Sequence, residues 1–149
     1  MSTRARRPTT AAVALVALTV AITAQAVAPG PAYRIICHPE NPITTADRQF
    51  LEDAFLKKVK AWPTGATAHP VDLAPRSPVR RRFSEDVLKR PVEAVRSYWQ
   101  QRIFAGRDLP PPEVGTDDDV VRYVLRDRGG VGYVSGAAAL NGAKVLQVK

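Results

Sequence analysis

Few side chains in this sequence could do chemistry, and their spacing decides among them. Cys37 is the one cysteine, and His38 and His69 are the two histidines. Cys37 and His38 are neighbours in a strand-like segment, so their side chains point to opposite faces and cannot form a nucleophile–base dyad. His69 stands alone in a proline-bounded segment. Asp117, Asp118 and Asp119 could suggest a metal site, but they follow a capping residue, where acids complement the positive end of a helix, and that is the reading adopted here. No G-x-S-x-G, H-E-x-x-H or phosphate-binding Gly-rich loop occurs. The residue pattern therefore predicts no enzyme, no metal and no cofactor. What remains is the stretch LAPRSPVRRRFSEDVL, Leu73 to Leu88, where a serine and a proline precede three consecutive arginines.

Ser77 is an N-cap residue type, and Pro78 fits the first helical position, where its missing N–H costs little. On the helix that follows, Val79, Phe83 and Val87 recur every four residues and predict the buried face. Arg80, Arg81 and Arg82, about 100° apart, diverge and cannot make a flat nucleic-acid patch. Arg81 has Glu85 within helical reach, and Arg82 has Glu85 and Asp86. Arg80 has no acidic neighbour on its own helix and sits in the first turn, where a cation is disfavoured. An anion at the same helix end would explain it, held by Ser77, backbone N–H groups and Arg80. A capping serine followed by solvated arginines is the competing reading.

The elements that must position these residues are punctuated by proline. Tyr33 to His38 reads as a strand. Thr44-x-x-Asp47 reads as a capping box opening a helix that places Phe50, Leu51, Ala54 and Phe55 on one face. AWPTGAT is a turn, followed by a short strand near Ala68 to Leu73. A helix runs from Pro78 to about Lys89, and another opens at Pro91 with Val92, Val95, Trp99 and Ile103 as its stripe. Thr116-x-x-Asp119 is a second capping box, with Val120, Val121 and Val124 behind it. Gly129-Gly130 ends that helix, and Val131 to Ser135 and Lys144 to Val148 are the last strands. Alternating strands and helices predict an α/β domain of two or three layers. Asn41, in HPENP, lies in the loop after the first strand. Such loops face the ligand side in α/β lobes, which makes it a site candidate beside the simpler reading as a turn residue.

The first residues bear on location. Arg4, Arg6 and Arg7 precede an uncharged apolar run from Thr9 to Thr23, and Ala24-Gln25-Ala26 offers small residues where a signal peptidase reads. The sequence predicts a secretory signal peptide over residues 1–26, cleaved after Ala26 or Ala28, and a periplasmic or secreted domain over 27–149 with no membrane span. Removing three of 22 basic residues leaves 19 against 14 acidic ones, a net charge of +5. That permits an anionic ligand and does not imply nucleic acid. A lone cysteine forms no internal disulfide, so an exported domain must rely on its core.

Four segments, in order, carry a resemblance: FLEDAFLKKVKAWPTG, HPVDLAPRSPVRRRF, VRSYWQQRIF and GGVGYV. Together they resemble the phosphate-type substrate-binding proteins of ABC uptake systems, over roughly Tyr33 to Val148. The resemblance implies a Rossmann-like α/β lobe of the type II periplasmic-binding-protein fold, with a central mixed sheet flanked by helices. It matches Ser77 and Arg80 to the serine and arginine of a G-S-G-T-R anion loop, and Trp62, Trp99, Gly132 and Tyr133 to structural positions. Arg76, Pro78 and Val79 depart from that loop. Pro78 deletes a backbone donor and Val79 a hydroxyl, while Arg76 could restore part through a bidentate contact. The chain has room for one lobe where the family has two. The implied function is weak binding of phosphate or a related oxyanion, linked to ABC-type phosphate uptake. An ABC permease, a second lobe from a partner, or a second copy are the implied partners. The alternative is an envelope interaction module that kept the fold and lost transport.

Overall fold

The computed structural model describes residues 32–149. The signal-peptide reading and its cleavage site lie outside the described residues. Among the described residues, seven strands and four helices follow in order: β1 (Tyr33–Cys37), β2 (Thr45–Ala46), α1 (Arg48–Phe55), β3 (His69–Pro70), β4 (Asp72–Leu73), α2 (Pro78–Asp86), α3 (Val92–Phe104), β5 (Glu113–Val114), α4 (Asp117–Arg126), β6 (Gly130–Ser135) and β7 (Lys144–Val148).

Five strands form a mixed sheet in the order β2-β7-β1-β6-β3. β1 sits in the middle and runs antiparallel to both β6 and β7, with Ile36 opposite Gly132 and Val145. β3 runs parallel to β6. β4 leaves the sheet and pairs in parallel with β5 as a separate two-stranded ribbon.

The period-2 alternation of β6 sorts the helices onto two faces. A Cβ on Gly132 would lie 2.5 Å from a methyl of Val120 and 2.8 Å from one of Val71, so only glycine lets α4 pack this closely. Its neighbour Tyr133 faces the other way, into an aromatic cluster from α1 and α2. There the Tyr133 and Phe83 rings stack at 3.8 Å between centroids, and Phe55 and Tyr33 contact Phe83. The domain is therefore three layers, with α4 on one face and α1 and α2 on the other, as an α/β reading requires.

Local signals predicted several elements correctly. Ser77 caps α2 by accepting from the Arg80 N–H at 3.3 Å, with Pro78 in the first turn. Thr116 caps α4 in the same way, and its hydroxyl donates to Asp119. Other expectations are corrected. The Thr44 capping box does not form. Thr45 and Ala46 are taken up by β7 in a parallel pairing, and α1 starts after Asp47, whose side chain makes no cap bond. The buried face of α2 holds Phe83 and Val87 as expected, but it extends to Arg80 and Ser84, and Val79 is only half buried. Ile103 is exposed rather than part of the α3 stripe, which consists of Val92, Val95 and Trp99.

Candidate functional site

The C-terminal ends of the parallel strands β3 and β6, continued by β4, converge on the start of α2. After β4 the chain turns through Ala74 to Arg76, closed by the Ser77 N–H donating to the Ala74 carbonyl at 2.9 Å. An open cleft of about 520 Å³ lies beside this turn, between the starts of α2 and α3 and against β5. Arg76, Arg80 and Arg96 supply its cations, Glu93 and Glu113 its anions, and Val92 and Trp99 its apolar wall.

The structure brings three of the four sequence candidates together here: Ser77, Arg76 and Arg80. Asn41 is not among them. β1 runs antiparallel to β3 and β6, so the loop after β1 emerges at the opposite end of the sheet. Asn41 is buried there. Its side-chain oxygen accepts from the Ile43 N–H at 3.0 Å, and its carbonyl accepts from Lys144 at the start of β7. It is a turn residue.

Arg80 has no partner on its own helix, but it has two off it. It is 3 % exposed. Its Nη1 lies 2.8 Å from Asp72 Oδ2 and 3.3 Å from Glu113 Oε1, and donates to the Leu73 carbonyl at 2.6 Å. The Tyr133 hydroxyl donates to the other Asp72 oxygen and accepts from the Leu73 N–H. Burial pushes the Asp72 carboxyl up to about 6, against the pull of Arg80 and the Tyr133 hydrogen bond. Burial and the adjoining Asp72 charge likewise raise the Tyr133 phenol. The guanidinium Nε is buried with no hydrogen-bond partner. The arginine of the resembled anion loop is thus committed to a buried carboxylate inside the domain. The sequence hid this because Asp72 and Glu113 stand on two-residue strands too short to show a period, and Glu113 is 33 residues from Arg80. The one available signal was an acid set between Val71 and Leu73, in an apolar run just before the turn.

Donors for an anion at this end are few. Pro78 has no N–H, and Ser77 Oγ already accepts from the Arg80 amide. That leaves the Val79 amide, the Ser77 hydroxyl proton and the exposed Arg76 guanidinium. The three cleft arginines are balanced by Glu93, Glu113 and the adjoining Asp72, so the cleft carries no strong positive field.

The remaining chemistry-bearing residues are occupied in the fold. Asp117 accepts from the Ser135 N–H at 3.1 Å and hydroxyl at 2.5 Å, tying the start of α4 to the end of β6. Asp119 completes the α4 cap and pairs with Arg122. Cys37 is buried, and burial raises its thiol pKa. His38 accepts from the Glu40 N–H through Nδ1. His69 is not isolated as the sequence suggested; its Nδ1 meets the Asp127 carboxylate. Arg82 pairs with Asp86, while no ion pair links Arg81 to Glu85. Among the described residues, no group of three His, Cys, Asp or Glu could hold a metal ion, and no helix is long and apolar enough to cross a membrane.

No protein-family model and no curated protein matches the chain. Solved structures do. A Clostridium perfringens protein described as a phosphate ABC transporter substrate-binding protein, with phosphate bound, superposes with a TM-score of 0.62 at 16% identity, over 78% of this chain and 44% of that one. PstS of Borrelia burgdorferi gives 0.61 at 14% identity, over 79% and 47%. An ABC-type phosphate transport receptor of Vibrio cholerae gives 0.60 at 16%, over 78% and 46%. The chain spans less than half the length of each. Its fold is that of one lobe of these phosphate-type binding proteins, as the sequence motifs implied.

Proposed function

We propose that this chain is an exported solute-binding-protein lobe, not an enzyme, which takes phosphate or a related oxyanion weakly at the start of α2. Arg76 and Ser77 are the direct donors, and Arg80 acts from beneath. The observation that carries this reading is the placement of a capped helix start and an exposed arginine on an open cleft, at the C-terminal ends of parallel strands. Ligands of open α/β sheets bind at such ends, and the fold is shared with proteins described as phosphate-binding. A lone lobe leaves one side of the anion in water, so its contacts stay screened. The proposal extends to a second lobe, from a partner or another copy, that closes the site, and to a role beside an ABC permease in phosphate uptake in the periplasm or outside the cell.

A second reading is favoured by one observation, the neutralisation of Arg80 by Asp72 and Glu113. On that reading the lobe keeps the fold, binds no oxyanion and serves as an envelope protein-interaction module. Calorimetric titration with phosphate, sulfate and molybdate separates the two. The anion-site reading gives a dissociation constant around the millimolar range, roughly −4 kcal/mol. Arg76→Ala weakens it about tenfold, as loss of a charge-assisted contact does, and Arg81→Ala, which removes an exposed arginine elsewhere on α2, leaves it unchanged. Equal losses in both variants would reduce the effect to nonspecific charge attraction and favour the interaction module.

A further inference from the structure

The end of the domain away from the cleft carries an unusual surface. Among the described residues, Phe104 is 94 % exposed, Leu109 67 % and Ile103 48 %, with Val59 also exposed. These four come from two segments, 57–60 after α1 and 102–109 at the end of α3. Lys60 Nζ lies 2.6 Å from one Asp108 oxygen, and Arg102 Nη2 lies 2.8 Å from the other, which ties the segments together. The two cations hold the Asp108 carboxyl down at about 2, so the tie persists in mild acid. The α3 segment is a formed helix end: the Ala105, Gly106 and Arg107 amides donate to the Gln101, Ile103 and Arg102 carbonyls. Phe104 is therefore presented to solvent by ordered backbone.

We propose that this tip docks on an anionic lipid surface. The two segments hold Lys57, Lys58, Lys60, Arg102 and Arg107 against the single acid Asp108. Lys58 is further offset by Glu52 and Asp53 of α1, and the segment stays basic after that correction. Exposed aromatic and aliphatic side chains on two tied segments that also carry cations match the chemistry of a bilayer interface, where acyl chains take the apolar groups and headgroup phosphates the cations. A phenyl ring held almost wholly in solvent, as Phe104 is, gains by burial against a partner, and the excess of cations selects an anionic one. None of the tip residues lines the cleft, whose last contribution from α3 is Trp99, one to two turns before Phe104. A lobe docked by its tip would keep its cleft open to solute.

The test is co-sedimentation of the mature domain, residues 27–149, with vesicles of phosphatidylglycerol and phosphatidylcholine, against vesicles of phosphatidylcholine alone. Binding to the anionic vesicles should exceed binding to the zwitterionic ones by roughly tenfold and fall at high salt. Phe104→Ser and Arg107→Glu should each reduce it several-fold, about the loss of one inserted or one attracting group, with melting temperature unchanged. Arg81→Glu, on the exposed face of α2, should not. No binding to anionic vesicles, equal binding to both, or full binding by Phe104→Ser overturns the proposal. A dimer in light scattering that Phe104→Ser dissolves, with vesicles ignored, would assign the tip to self-association instead.

Discussion

Asp72→Ala should destabilise the domain by about 3–5 kcal/mol in a urea melt, because it breaks a buried ion pair from one side. The Arg80 charge would be left buried with the Leu73 carbonyl and Glu113 alone, and the Tyr133 hydroxyl would lose its acceptor. Asp72→Asn keeps an oxygen for Tyr133 and should cost less. The two variants separate loss of the network from loss of the charge. The pH dependence carries a sign of its own. The folded Asp72 carboxyl titrates near 6, above its ordinary value of 3.8. The folded state therefore holds this proton more tightly than the unfolded chain. The resulting stability is full below 3.8 and is lost as pH rises through about 6. Relative to Asp72→Asn, wild type should gain on the order of 1 kcal/mol between pH 7.5 and pH 5. A gap that does not move with pH would mean that Asp72 is not buried as an ionised group.

Phe83→Ala is the second large effect, about 3–5 kcal/mol. Phe83 is fully buried and is the hub of the aromatic cluster, stacked on Tyr133 and contacting Phe55 and Tyr33. Removing it empties the space between α2 and the sheet, where stiff neighbouring strands cannot collapse inward. Phe83→Leu should recover more than half of the loss by filling volume, without the ring stacking. A near-neutral Phe83→Ala would contradict the packing of α2 on this face.

What was legible in the sequence was local. Ser77 and Thr116 cap their helices because a cap needs only an amide three residues on. Phe83, Val124 and Trp99 are buried as helical periodicity requires. Most of the misreadings trace to structure distant in the chain. Thr44 to Asp47 looked like a cap until β7 recruited Thr45 and Ala46. Arg80 looked unpaired because Asp72 and Glu113 stand on other elements. His69 looked isolated because Asp127 is 58 residues away. Asn41 was placed at the ligand side because a loop after a strand says nothing of that strand's direction, and β1 runs against its neighbours. Of the candidate site, the sequence names the exposed part, Ser77 and Arg76, and hides the partners of Arg80, where the charge balance is decided.

That balance makes the start of α2 the place to measure. Phosphate titrated into the isotopically labelled domain to about tens of millimolar should shift the amides of Ser77, Val79 and Arg80 progressively, in fast exchange, with a midpoint around the millimolar range. The amides around Asn41 and Asp117 should stay in place, since Asn41 lies at the far end of the sheet and the start of α4 already carries the carboxylates of Asp117, Asp118 and Asp119, which repel an anion. Shifts confined to the start of α2 would place a weak oxyanion site there. Silent amides from Ser77 to Arg80 at saturating phosphate would contradict the account and leave a binding-protein lobe retained for a protein partner.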